Sequence, residues 1–145
     1  MKKILKMAIS LIFAVFLASS FAYANAGEVR SSAYLQSYQA NLAAQGNGII
    51  SVYASIYGRT SLSKIGVYQI DVYESTDNGN TFPYYDSFFY YDHPTMMGSG
   101  RRYSQTALTF SGTAGNQYKA IVYCYGSDPD GDDTKAYYTS AIIAK

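Results

Sequence analysis

The sequence of 145 residues has no tryptophan, a single cysteine, a single histidine and two glutamates. Each scarcity removes a class of chemistry. Cys124 has no partner within the chain, so no internal disulfide forms and the core alone must hold the fold. It sits between Tyr123 and Tyr125 in an apolar run, the setting of a buried inert thiol more than of a nucleophile or an intermolecular link. With His93 as its only companion, a zinc site of three or four nitrogen and sulfur ligands is excluded. Asp92, His93 and Ser99 or Ser104 make a poor triad, because adjacent strand residues point to opposite faces and no nucleophile motif accompanies them. Glu28 and Glu74 are the only glutamates and the aspartates gather at turns, where backbone capping accounts for them. The chain is therefore read as non-enzymatic, and a hydrolase is an alternative without a catalytic constellation.

A second long hydrophobic run is missing as well. The one present, Met7 to Ala18, follows Lys2, Lys3 and Lys6 and precedes Ala22-Tyr23-Ala24 and Ala24-Asn25-Ala26. It falls short of the roughly 20 residues of a bilayer span, and small residues suited to cleavage follow at once. Residues 1–26 thus read as a signal peptide cut after Ala24 or Ala26, with no cysteine at the junction to carry a lipid. The expected product is secreted and forms one domain over residues 27–145. Losing three lysines leaves eight basic against ten acidic residues. No basic excess then draws nucleic acid or anionic lipid, and a monomer without membrane insertion is expected.

What the chain does have is tyrosine: seventeen, of which sixteen lie beyond residue 26. Tyrosine suits a pleated, half-buried surface, its ring packed and its hydroxyl wet. Alternation of period two runs almost unbroken, and no 3.6-residue stripe bounded by caps interrupts it. Seven strands are predicted. Their alternating sets are Tyr38, Ala40, Leu42 and Ala44; Ile50, Val52, Ala54 and Ile56, an inward face; Ile65, Tyr68, Ile70 and Val72; an aromatic strand from Thr81 to Tyr91, aromatic on both faces; Ser104, Thr106, Leu108 and Phe110, alternating with Tyr103, Gln105, Ala107 and Thr109; Tyr118, Ala120, Val122 and Cys124 on one face; and a last strand from Lys135 to Ile143. Short, regularly spaced strands with Gly, Asn and Asp turns predict an all-β fold, a seven-stranded antiparallel immunoglobulin-like β-sandwich. Tyr118, just after a turn and two residues before Ala120, stands where such sandwiches place a corner tyrosine; it also reads as one more strand tyrosine.

Three segments carry candidate chemistry. Ser75 to Phe82, STDNGNTF, reads as a self-satisfied hairpin with Asp77 capping backbone and Gly79 supplying positive φ. It resembles the Asp box of sialidases, but occurs once, in a chain too short for a propeller. Asp128, Asp130, Asp132 and Asp133 flank Gly131 and offer oxygens for weak Ca²⁺ binding. Without the distal glutamate of an EF-hand, the same segment also reads as a solvated acidic hairpin. The aromatic strand carries Tyr84, Tyr85, Tyr90 and Tyr91 behind Pro83, more than one buried face requires. These four are the candidate ligand surface for an extracellular protein or glycan.

Gly46-Asn47-Gly48-Ile49, Lys64-Ile65-Gly66, Val72 to Gly79, Thr81-Phe82 and Ser111 to Tyr118 together resemble a family of small secreted proteins from clostridia-like Gram-positive bacteria. The resemblance implies an exported β-sandwich and transfers no activity. The expected function is binding or adhesion at the cell surface through exposed aromatics, with a calcium-assisted cell-wall or carbohydrate-binding module as the alternative.

Overall fold

The computed structural model describes residues 32–145, so the expected signal peptide lies outside the described residues. Strand β1 is Leu35–Gly46, β2 Ile49–Ser75, β3 Tyr84–Phe89, β4 Met97–Ser111, β5 Gln117–Asp128, β6 Gly131–Tyr138 and β7 Ile142–Ile143. A single 3-10 turn, Pro94–Met96, precedes β4. The chain is all-β and every strand pair is antiparallel. Among the described residues no helix is long and apolar enough to cross a membrane.

β2 organises everything else. Its first half, residues 49–57, pairs with β1 on one side and β4 on the other. Its second half, residues 64–75, pairs with β5 on one side and, over residues 69–73, with β3 on the other. β6 and the short β7 then extend β5. Register slips against β4 at Tyr57/Leu62 and Leu62/Ile65, which is where β2 bends, and the seven-stranded sheet curls into a half-barrel. The curl brings β1 against β5 and β6 without pairing. Leu35 closes the gap over Gly126, where an added Cβ would stand 2.7 Å from Leu35 Cδ2 and 2.8 Å from Leu62 Cδ1.

The concave side is the core. Ile50, Val52, Ala54 and Ile56 from one half of β2 meet Ile65, Val67, Ile70 and Val72 from the other, with Val122 and Cys124 from β5, all fully buried. Burying a side chain of this kind contributes about 1.5–3 kcal/mol, which explains how one free cysteine suffices. At the β1–β2 hairpin Asn47 and Gly48 both have positive φ, 52° and 77°, the geometry of the two-residue turn that matches strand twist.

Several predicted boundaries shift. The strands expected around 50–56 and 65–72 are one, because Gly58 to Ser63 bends without breaking the extended backbone. The aromatic strand contracts to Tyr84–Phe89, since Thr81 belongs to the preceding turn and Tyr90 and Tyr91 to the following one. The last strand begins earlier, at Gly131, and breaks before Ile142. Two strands also change phase along their length. Tyr68 falls on a register shift between Val67 and Gln69, so Val67 turns inward and Tyr68 is left 39% exposed. Ala107 is an extra residue opposite Val52 and Tyr53; it flips the first part of β4, burying Tyr103 and turning Ser104 and Thr106 away from the core. A bulge of one residue reverses the faces of everything beyond it.

The octapeptide STDNGNTF is the β2–β3 turn. Ser75 Oγ accepts from the Gly79 N–H at 2.8 Å and donates to Asp77 Oδ1 at 2.7 Å. The Asp77 carboxylate accepts from the Thr81 N–H at 2.9 Å and from the Thr81 hydroxyl at 2.7 Å. It therefore reaches four residues on. Hydrogen bonds from Thr81 and Ser75 hold the Asp77 carboxyl down at about 2.

Candidate functional site

Opposite partners in an antiparallel ladder share a face, so strand register alone maps the convex side of β3, the second half of β2, β5 and β6. One cross-strand row is Tyr84, Tyr73 and Lys119; the next is Ser87, Asp71, Ile121 and Tyr138; a third is Phe89, Gln69, Tyr123 and Ala136. At the end, Tyr68 is flanked by Tyr90 at 5.3 Å and Tyr125 at 5.7 Å between ring centroids. Tyr91 stacks on Phe89 at 5.2 Å with planes 11° apart, and the Lys64 ammonium stands 5.7 Å from the Tyr90 ring centre. The result is a face with a ring cluster at each end, Tyr73 with Tyr84 and Tyr68 with Tyr90 and Tyr125, and Ser87, Asp71 and Ile121 between them.

Asp71 is the one carboxylate at its centre. It accepts from Gln69 Nε2 at 2.6 Å and from the Ser87 hydroxyl at 2.5 Å. Burial, and then the nearby Asp71 charge, raise the Tyr123 phenol above its ordinary value. The residues around Asp71 are thus hydrogen-bonded among themselves, and the rings stand in fixed positions.

At one end the face deepens into a pocket of about 280 Å³ lined by Tyr73, Phe82, Lys119, Ile121, Tyr138 and Thr139. Phe82 reaches it from the loop before β3, and the Lys119 ammonium sits 4.3 Å from its ring centre. Among the described residues the only ion pair joins Lys135 and Asp133. Lys119 therefore has no carboxylate partner there.

The four tyrosines expected to form a ligand surface divide. Tyr84 and Tyr91, 61% and 63% exposed, and Tyr90 lie on the aromatic face. Tyr85 does not. It packs edge-on to Tyr118 at 5.6 Å, lies 6.3 Å from Phe110 and donates its hydroxyl to the Ser111 carbonyl at 2.9 Å. The bulge between Val72 and Tyr73 turns it to the side of the core. Tyr68, Tyr73, Tyr125, Tyr138 and Lys119 belong to the face and were not predicted. Their signal was the second phase of the β5 alternation, Ile121, Tyr123 and Tyr125, which identifies an outer face only once register supplies its neighbours.

The acidic hairpin is differently arranged from a calcium loop. Asp128 Oδ1 accepts from the Asp130 N–H at 2.8 Å, the capping expected of a turn. Asp132 and Asp133 are consecutive strand residues and point to opposite faces. Partial burial would raise the Asp133 carboxyl, but hydrogen bonds from Ser32 and Lys135 and the Lys135 charge hold it below the usual range. Tyr34 lies over Gly131, where a Cβ would meet its hydroxyl at 2.6 Å. Among the described residues no three His, Cys, Asp or Glu side chains converge on a metal position. His93 immediately precedes the 3-10 turn without a side-chain hydrogen bond to it, its ring 5.6 Å from Phe88.

The convex side of the other half, formed by β1, residues 49–57 of β2 and β4, has a different character. Ser37, Gln39, Asn41, Ser51, Ser55, Ser104 and Thr109 dominate it. Its two tyrosines are engaged by neighbours, Tyr53 with the Ser104 hydroxyl and Tyr57 with the Arg102 guanidinium. No protein-family model matches the chain, and no curated protein and no solved structure matches it.

Proposed function

We propose that the chain is an immunoglobulin-like sandwich that acts outside the cell as a non-enzymatic binding module, docking a cell-envelope partner on its aromatic face. The pairing scheme supports the sandwich. With β2 counted as two strands, β1, the first half of β2 and β4 correspond to strands A, B and E of that fold, and the second half of β2, β5 and β6 to C, F and G, with β3 beside C. Tyr118 supports it further. Its buried hydroxyl accepts from the Thr113 N–H at 2.7 Å, the contact of a corner tyrosine at the start of strand F. The signal read over residues 1–26, and the likeness to small exported clostridial proteins, support the extracellular location.

One observation carries the binding reading: the asymmetry of the two convex faces. If tyrosines merely served strand propensity, both faces would carry them alike. Instead one is a hydroxyl and amide surface, and the other holds two ring clusters, Tyr73 with Tyr84 and Tyr68 with Tyr90, Tyr125, Tyr91 and Phe89. Tyrosine gives large contact area for little loss of side-chain freedom, the property that enriches it in recognition surfaces. A calcium-assisted reading has only the charge of the β5–β6 turn behind it.

The test uses the triple variant Tyr84→Ser, Tyr91→Ser and Tyr138→Ser on a glycan, peptidoglycan and cell-surface protein array. The wild type gives a signal, and the variant loses it with an essentially unchanged melting temperature. An unchanged array signal would refute the face as the docking surface.

A further inference from the structure

The geometry points to a carboxylated sugar as the ligand of the pocket at Lys119, a uronic acid residue with one ring seated between Tyr73 and Tyr138. This inference rests on the binding reading above and gives that site a ligand class. The pocket, about 280 Å³, falls just below the usual span of ligand sites, roughly 300 to 1,000 Å³. It therefore suits a single ring of a longer chain that continues along the open aromatic face.

Three features select the chemistry. The lining includes the rings of Tyr73, Phe82 and Tyr138, apolar groups of the kind that pack against the C–H face of a pyranose. The pocket's only charged side chain is Lys119, which has no carboxylate partner among the described residues. Its ammonium contacts the Phe82 ring on one side, an arrangement that holds the cation in place while keeping its N–H donors available. A cationic ligand is thereby excluded, and a neutral one would leave that charge without use.

The third feature is the number of donors. One ammonium matches one negative charge, whereas a phosphate dianion needs further cations or free backbone N–H groups. Here the nearby backbone is occupied: the Ala120 N–H donates to Thr139 Oγ1 at 2.9 Å and the Thr139 N–H to the Ala120 carbonyl at 3.0 Å. The Thr139 hydroxyl keeps its own proton for a sugar oxygen. Tyr138, 73% exposed, is positioned as the outer wall.

The experiment titrates methyl β-D-glucuronide, methyl β-D-glucoside and glucose 6-phosphate into the labelled protein, following backbone amides by NMR. Lys119→Met, which keeps the apolar stem, and a Tyr91→Ser variant, at the far end of the face beside Phe89, are run beside the wild type. The glucuronide should shift Lys119, Ile121 and Thr139 amides, weaken with added salt, and bind about tenfold or more weakly to Lys119→Met. The distal tyrosine variant should still bind this small probe. Equal binding of glucoside and glucuronide, or an unaltered affinity in Lys119→Met, would overturn the carboxylate assignment and leave the face reading standing. Stronger binding of the phosphate would overturn it as well. Shifts confined to residues away from the pocket would refute the site itself, whereas loss of array binding without loss of glucuronide binding separates the wider face from it.

Discussion

Tyr118 is the largest fully buried side chain among the described residues, and its hydroxyl is committed at both ends. It accepts from the Thr113 N–H and donates to Glu74, which also accepts from Asn116 Nδ2 at 2.9 Å. Burial, and then the bond to Glu74, raise the phenol above its ordinary value, so it stays a donor through neutral pH. Tyr118→Phe keeps the ring and leaves a backbone N–H and a carboxylate short of a partner. Urea unfolding should show a loss of about 1–3 kcal/mol, against almost none for Tyr125→Phe on the convex face. Asp77 offers a second check at this scale. Its folded value of about 2 lies below the ordinary 3.8, so its contribution is complete above 3.8 and disappears as pH falls through about 2. The melting-temperature gap between wild type and Asp77→Asn should accordingly be widest near neutral pH and close under acid; a gap independent of pH would contradict the assignment.

At the level of the strand, close approach decides which positions tolerate change. A Cβ on Gly66 would lie 2.3 Å from the Met96 carbonyl oxygen and 2.9 Å from Met97 Cα, whereas at Gly98 nothing comes nearer than 3.7 Å. Gly66→Ala should cost about 1–3 kcal/mol in chemical denaturation, and Gly98→Ala should be close to neutral. Strand identity was largely legible in the sequence, because Ile50, Val52, Ala54 and Ile56 alternate without exception. The bulges at Tyr68 and Ala107 were not, since an extra residue in a strand leaves composition and local alternation looking regular on either side. The candidate face was half legible. Tyr84, Tyr90 and Tyr91 stand out as a run, but Tyr73, Lys119 and Tyr138 meet them only through cross-strand register, which no single segment encodes. The continuity of β2 was hidden for a similar reason: Gly58-Arg59-Thr60-Ser61 has the composition of a turn.

For the whole molecule, β2 makes the two halves inseparable, because each half of the sheet contains part of one strand. Unfolding should then be a single transition. Cys124 reports on it, since it is fully buried and burial pushes its thiol up to about 12. In native buffer iodoacetamide should leave it unmodified, and in rising urea its labelling should follow the same midpoint as tyrosine fluorescence. Labelling well before that midpoint would show that β5 opens on its own.

The same shared strand sets a timetable for synthesis. Residues 49–57 lack one neighbour until β4 emerges, and residues 64–75 until β5 does; the early half of the chain therefore has nothing complete to lock onto while the ribosome is still at work. Such long-range pairing slows folding, and it keeps the polypeptide pliable until the great majority of it has been made.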